Sequence, residues 1–558
     1  MRNRNRSLAD INERRFDVIV IGAGINGCGI ARDAAMRGLN VLLLDKGDIA
    51  AGTTSSSSRL IHGGLRYLEH AEIALVRESL REREVLLHTA PHLVRPLPLL
   101  IPIYRGNRRG PLTIRIGMIA YDVLSFDKSV DHHHMLSRDE ALWRAPGLNP
   151  RGLRGAALYY DAQVEFAERL AVENALGARD HGATVLTYAR VDRLLTDGNR
   201  ITGVALTDVL GHEAAVAHAA VVVNVAGPWV DEVLAELGQE VPRLMGGTKG
   251  THIVVPPFPG APNEALYVEA SRDGRPYFVI PWTGRYLIGT TDIRYAGALD
   301  SVEPSAEEID YLLGETNRVI PRAGLTRESV IASYAGVRPL PYHPEGAAGG
   351  ITRRHIVRDH APAFEGLISI IGGKLTTYRN LAAETVDAIY RKLGRKAPPC
   401  RTATVPLPGA QGDFGVFRER FLARSDLSAR SASHLLRVYG TRAADVLALA
   451  NGERDLLQLF DERTGAIGAE IVMAFRQEMA QTLSDALLRR TMVGLGAPID
   501  STSDEAAAAI AQHYLDWSPE RAARELAAYR EDIARFHPLA QAASGQQGTG
   551  ADALPAMS

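Results

Sequence analysis

A β-branched run, Phe16-Asp-Val-Ile-Val-Ile21, leads directly into Gly22-Ala-Gly-Ile-Asn-Gly27 and then into a small-residue segment ending near Arg37. Strand, tight turn and helix in this order form the opening of a nucleotide-binding unit: Gly22 permits the turn, Gly24 lets a pyrophosphate approach the backbone, and Gly27 lets the helix lie against the sheet. The unpaired N–H groups of the helix start then face phosphate oxygens. The next apolar run ends at Asp45, 23 residues after Gly22, where a carboxylate accepts ribose hydroxyls. These residues leave FAD and NAD both open.

A chain of 558 residues is too long for one small core. The formal net charge of -2 supplies no global attraction for nucleic acid. Two cysteines, Cys28 and Cys400, can build neither a disulfide framework nor a four-thiolate metal site, so no metal is expected and a reducing compartment is favoured. The arginine-rich start carries Asp10 and Glu13 and no apolar stretch, which argues against a secretory signal. With no run of about eighteen apolar residues, membrane contact is expected to be peripheral.

The nucleotide domain returns twice along the chain. A helix over 163–179 precedes strands at 183–187 and 200–207, and Val221-Val-Val-Asn-Val225 stops at Ala226-Gly-Pro-Trp229. Leu367 to Ile371 then meets Gly372-Gly373 and a helix running to about Arg391. Between these returns, short runs at 251–255, 277–280 and 286–292 predict an inserted, mainly antiparallel substrate sheet. The expected fold is therefore α/β: a discontinuous Rossmann-like domain with that insertion, followed by an all-helical C-terminal domain. The expected parts are 1–90, 156–240 and 336–398 for the nucleotide domain, and 91–155 for a cap with a candidate membrane-contact segment. The substrate sheet takes 241–335, the helical domain 399–540 and a flexible tail 541–558. Helices are predicted over 426–438, 443–449, 467–491, 503–515 and 519–536.

Five stretches together resemble the FAD-dependent respiratory glycerol-3-phosphate dehydrogenases. They are the glycine turn, Arg59-Leu-Ile-His-Gly-Gly-Leu-Arg-Tyr-Leu-Glu69, Ile280-Pro-Trp282 with Gly289-Thr-Thr-Asp292, Gly336-Val-Arg-Pro339, and Gly372-Gly-Lys-Leu-Thr-Thr-Tyr378. The resemblance spans about 16–491 and implies FAD, oxidation of sn-glycerol 3-phosphate to dihydroxyacetone phosphate, and electron delivery to a respiratory quinone. It assigns Gly22, Gly24, Gly27, Asp45, Thr53, Ser57, Ser58, Arg59, Leu60, Gly372, Lys374, Leu375 and Thr376 to the cofactor. Many relatives carry Glu at the Asp45 position. Arg66, Tyr67, Arg338, Arg353 and Lys374 fall on the substrate-facing positions, and cationic forks suit a phosphomonoester of charge near -2.

Phosphate binding must hold the substrate C2–H over the flavin while a base takes the hydroxyl proton. His252 is the leading candidate and His62 the second, because a neutral imidazole accepts protons near pH 7. Arg338 and Lys374 are the remaining catalytic candidates, the lysine stabilising charge on the reduced flavin.

The segment from Ile103 to Ile119 mixes Arg105, Arg108, Arg109 and Arg115 with apolar side chains and is a candidate surface for the lipid of the cytoplasmic membrane's inner face. The resemblance also implies a homodimer. Two other readings stay open: a glycerol-3-phosphate oxidase delivering electrons to oxygen, and a flavin-binding redox sensor or assembly protein.

Overall fold

The computed structural model describes residues 8, 10–238, 241–344, 351–495 and 502–537. The predicted tail, 541–558, lies outside them.

Two sheets organise the chain. In the first, parallel strands Leu367–Ile371, Ala214–Asn224, Arg15–Ile21, Val41–Leu44 and Thr184–Leu186 lie side by side in that order. Strands that neighbour in space therefore come from three distant parts of the sequence. The central strands are fully covered, with Val18, Val20, Leu42, Leu43, Val222 and Ile368 in the core. Covering both faces suits uninterrupted Val, Ile and Leu runs, and each fully buried side chain contributes roughly 1.5–3 kcal/mol. Helix Ile25–Met36 packs on this sheet between helices Ala167–Asp180 and Tyr378–Lys392. A Cβ on Gly27 would stand 1.8 Å from Gly22 O, so only glycine lets the helix begin this close to the turn. An antiparallel ribbon, Ala189–Asp197 with Arg200–Asp208, extends the edge beside Ala214–Asn224.

The second sheet has ten strands. Thr248–Val255 sits between Arg285–Gly289 and Ala332–Arg338, and Pro276–Trp282 and Ala265–Glu269 continue the layer. Ala265–Glu269 joins Val94–Tyr104 in parallel, and Val94–Tyr104 pairs along its length with Leu153–Val164. The predicted architecture, a discontinuous nucleotide domain carrying an inserted, mainly antiparallel sheet, is what the structure shows.

Several expected boundaries move. Residues 94–104 and 153–164, assigned to a cap and to the second nucleotide part, are strands of the substrate sheet, as are 332–338. The predicted helix at 163 begins at Ala167, because Gln163 and Val164 still pair with Arg95 and Val94. Among the described residues the C-terminal region is helical apart from a ribbon, Leu459–Asp461 with Ala466–Ile467. It also contains a helix the sequence reading omitted, Phe414–Arg424. The single helix expected over 467–491 is broken after Gly468–Arg476. There the buried Glu478 receives Arg169 at 2.5 and 2.9 Å and Arg442 at 2.6 Å, and Met479 takes a left-handed φ of 62°. Anchoring one carboxylate to the buried Arg169 and the half-buried Arg442 outweighs continuing the helix.

Candidate active site

At the mouth of the first sheet, Asp45 Oδ2 accepts from Ala23 N at 2.6 Å and Oδ1 accepts from Gly47 N at 2.8 Å. The carboxylate thus fastens the glycine turn, and each oxygen keeps a lone pair for a ribose hydroxyl. Burial pushes its pKa up. Thr54 Oγ1 accepts from Ile25 N at 3.1 Å, while Asn26 and Gly27, next in the first helical turn, have N–H groups beyond intrahelical bonding. Asn26 Oδ1 and Trp229 Nε1 are buried with no hydrogen-bond partner among the described residues. A helix start, an acid on the neighbouring strand and two buried polar atoms lacking partners fit a dinucleotide.

The polar segment from 50 to 59 bridges both sheets. Thr53 Oγ1 donates to Val337 O at 2.8 Å, and Ser57 O accepts from Tyr334 Oη at 3.0 Å. Ser58 Oγ lies 2.8 Å from His252 Nε2. The Arg59 guanidinium grips Glu168 at 2.6 and 2.7 Å and lies over the Trp282 ring. Leu60 likewise faces the core, paired in register with Gln163. His62 N donates to Thr376 Oγ1 at 3.1 Å, tying this early segment to the late one. Gly372 and Gly373 both take positive φ and turn the chain out of strand Leu367–Ile371. Leu375 packs against the first sheet's core.

His252 lies in the middle of its strand, in register with Gly289 on one side and Tyr334 on the other. A Cβ on Gly289 would stand 2.4 Å from the imidazole, so the missing side chain makes room for the ring, while Tyr334 stacks on it at 5.0 Å. Burial, then Arg338 and Arg59, depress the His252 pKa to about 3, and its Nδ1 is buried with no hydrogen-bond partner among the described residues. His62 is half-buried, edge-on to Phe278, with its pKa lowered by burial.

The arginines converge on one acid. Asp292 receives Arg338 at 3.1 Å, Arg353 at 3.2 Å and Arg275 at 2.5 Å. Arg338 also donates to Thr290 Oγ1 and Thr291 O, each at 3.1 Å. Burial pulls the Arg338 pKa down to about 10, with Arg353 and Arg275 adding to the effect and Asp292 opposing it. Arg353 Nη1 is buried and lacks a hydrogen-bond partner among the described residues. Tyr67 stands within the field of Arg353, Arg66 and Arg338, and Lys374 Nζ sits 3.9 Å over its ring. Lys374 precedes helix Tyr378–Lys392 rather than starting it, and burial lowers its pKa to about 7. Three guanidiniums sharing one carboxylate leave positive charge in excess, the arrangement that receives an anion.

Asp292 and Arg275 were absent from the expected site residues. Gly289-Thr-Thr-Asp292 had been noticed as a motif, and an acid closing it near predicted arginines was the available signal. Arg275 offered none.

Residues 17–379 match the family model of FAD dependent oxidoreductases, and residues 400–522 match that of the C-terminal domain of alpha-glycerophosphate oxidase. The chain is 50% identical to a glycerol-3-phosphate dehydrogenase of Synechocystis sp. over 545 residues, covering 94% of this chain and 98% of that one. It is 38% identical to glycerol-3-phosphate dehydrogenase 2 of Mycobacterium tuberculosis, covering 93% and 88%. Among solved structures, the glycerol-3-phosphate dehydrogenase of Bacillus halodurans complexed with FAD is similar with a TM-score of 0.78 and 29% identity, covering 96% of this chain and 97% of that one. With these matches spanning both the nucleotide cradle and the arginine cluster, the chain belongs to the FAD-dependent oxidoreductases, in the branch formed by the glycerol-3-phosphate dehydrogenases.

Proposed function

We propose that this protein oxidises sn-glycerol 3-phosphate to dihydroxyacetone phosphate and passes the electrons to a membrane quinone. The observation that carries the reading is the arginine cluster, with Arg353 Nη1 buried and lacking a hydrogen-bond partner among the described residues, next to Arg338 and Lys374. Gly22, Gly24, Gly27, Asp45, Ser57, Ser58, Gly372, Lys374, Leu375 and Thr376 hold FAD, which when bound supplies a two-electron hydride acceptor.

Arg338 and Arg353 grip the phosphate with Arg66 and Tyr67 beside them, and Asp292 keeps the first two forks oriented. His252 takes the C2 hydroxyl proton. In the free site burial, and after it the field of Arg338 and Arg59, make its imidazole a weak base. A bound dianion offsets that field and raises its basicity, so proton acceptance is tied to substrate occupancy. Ser58 fixes the ring plane through Nε2. Lys374, titrating close to neutrality, stabilises negative charge developing at the cofactor end of the site.

The membrane reading rests on helix Pro111–Leu124. Leu112, Ile116, Ile119 and Val123 recur on one face, Phe126 follows just beyond, and all five are exposed, Leu112 by 71% and Phe126 by 78%. Ile114, Met118 and Tyr121 face the core instead. Within the expected segment, Ile103 is buried in a strand and Arg109 is held by Glu69 and Glu269, so the exposed apolar stripe begins at Leu112. Arg105, Arg108 and Arg115 remain exposed beside the stripe. Among the described residues no helix is long and apolar enough to cross a membrane, and a stripe of this kind lies in the lipid headgroup boundary.

The test is anaerobic addition of glycerol 3-phosphate to the purified protein. Bleaching of the visible flavin absorbance, reversed by a short-chain quinone, is the expected result, and an unbleached flavin overturns the assignment. Stoichiometric hydrogen peroxide in air, with no response to quinone, identifies an oxidase.

A further inference from the structure

The turn after strand Val41–Leu44 is fixed from two sides. Within the nucleotide domain, Gly47 N donates to Asp45 Oδ1 at 2.8 Å and Ala50 N to Ala23 O at 3.0 Å. From the C-terminal region, Arg490 donates to both oxygens of Asp48 at 2.8 Å, and Arg489 Nε donates to one of them at 2.6 Å. The helix widens at these arginines, where Thr491 N donates to Ala486 O, five residues back, at 2.8 Å; such local distortions concentrate at functional sites. Arg489 also donates to Asp485 Oδ1 at 2.7 Å, Tyr188 Oη donates to that same oxygen at 2.7 Å, and Tyr188 N donates to Gly47 O at 2.9 Å. Gly47 and Asp48 are thus both tied to residues 485–490. Asp48, Asp485, Arg489 and Arg490 are all buried, and two guanidiniums balance two carboxylates, so this cluster leaves no charge over to hold a ligand. What it fixes is the position of the turn.

We infer that Arg489 and Arg490 are positioning residues for the dinucleotide: through Asp48 they hold the 45–50 turn where the Asp45 carboxylate meets the ribose, so that the C-terminal region sets how tightly FAD is retained. The inference rests on the assignment of Asp45 to the ribose. Asp48 follows Asp45 by three residues, and a hydrogen bond weakens steeply once donor and acceptor part beyond about 3.2 Å, so a small shift of the turn is enough to lose a ribose contact. The two-pronged grip of Arg490 fixes the plane of the Asp48 carboxylate as well as its distance, which a single ammonium does not. The thiol of Cys28, in the first turn of helix Ile25–Met36, lies within the fields of Asp45, Asp48 and Arg490, which places the arginine beside the start of the cofactor helix.

The experiment measures FAD release from the full-length holoenzyme on dilution, read as recovered flavin fluorescence and expressed as a dissociation constant. Arg490→Lys keeps the charge and loses the fork, and is expected to raise that constant by about tenfold or more. Arg442→Lys is the comparison: it replaces one of the two guanidiniums that hold Glu478 in the same region while Arg169 keeps its grip, and FAD affinity is expected to stay near the wild-type value. Asp48→Glu retains both ion-pair partners but lengthens the link by one methylene; it should weaken FAD binding as well, and it decides the matter if the Arg490→Lys chain does not fold. Wild-type affinity in Arg490→Lys and Asp48→Glu, or an equal loss in Arg442→Lys, overturns the inference. Asp45→Asn separates it from the reading beneath it. Wild-type affinity there refutes the ribose assignment, whereas a weakened Asp45→Asn beside an unaffected Arg490→Lys refutes the positioning role alone.

Discussion

Asp292 Oδ1 receives Arg338 Nη1 at 3.1 Å while the second nitrogen of the same fork reaches Thr290 and Thr291, so the plane of this guanidinium is fixed before any ligand arrives. A lysine at 338 keeps the charge and loses the fork. Arg338→Lys should lower kcat/KM by roughly 10- to 100-fold, the cost of about 1.5–3 kcal/mol for a charged hydrogen bond. Steady-state kinetics with a soluble acceptor measures it, and an unchanged kcat/KM removes Arg338 from substrate binding.

Replacing His252 by Gln leaves a polar side chain in place of the proposed proton acceptor. The expected loss is in kcat, by about 10²–10⁴-fold, with little change in KM. The depressed pKa, about 3, also means that the imidazole does not take up a proton between pH 5 and 7 in the free enzyme. An acid limb of kcat/KM with a midpoint near 6.5 would contradict this environment for His252.

Lys374 gives the opposite sign on the alkaline side. Its ammonium is present below a pKa of about 7 and is lost above it, so kcat/KM should decline as pH rises past that point. Lys374→Arg, charged throughout the accessible range, should flatten this limb in a pH profile even if its absolute rate is lower.

The exposed stripe can be tested without touching chemistry. Each apolar side chain taken into lipid contributes roughly 1.5–3 kcal/mol, so Ile116→Glu with Phe126→Glu should reduce partitioning onto anionic vesicles by more than tenfold. Turnover with a soluble acceptor stays at the wild-type level. Flotation with vesicles reads the first quantity, and undiminished flotation refutes the assigned surface.

His92 lies between the substrate sheet and the C-terminal region, with both ring nitrogens buried and without hydrogen-bond partners among the described residues. Its pKa is depressed to about 3, first by burial and then by Arg169. Below about pH 6.5 the unfolded chain binds a proton here that the folded chain refuses, so stability falls as pH drops from about 6.5 toward 3. His92→Gln should make the melting temperature less sensitive to pH across that window.

The parts of this architecture that were legible in the sequence are those in which neighbours in space are also neighbours in the chain. Gly22 to Asp45 forms one contiguous unit, and Leu367 to Thr376 repeats its strand and glycine turn. The strand Val94–Tyr104 was hidden because Pro96, Pro98 and Pro102 read as breaks. All three sit at even positions, so their missing N–H groups face one edge and the other edge remains free to pair. Motifs drew attention to His252 and Arg338, whereas Asp292 meeting Arg275 depends on a fold that brings two exposed-looking charges into one pocket. The direction of the Arg59 guanidinium was hidden for the opposite reason: a motif position does not say which way a side chain turns, and Glu168 lies 109 residues away.

The strand order of the first sheet sets a schedule for biosynthesis. The segment that turns back from Leu367–Ile371 through Lys374 to Thr376 leaves the ribosome only after two-thirds of the polypeptide has been made, yet its strand pairs directly beside Ala214–Asn224 and Thr376 bonds to His62. A nascent chain that already displays Gly22 and Asp45 thus has an open groove with one wall missing. Tight loading of the dinucleotide is a late event, and C-terminal truncation before residue 376 yields protein unable to retain it.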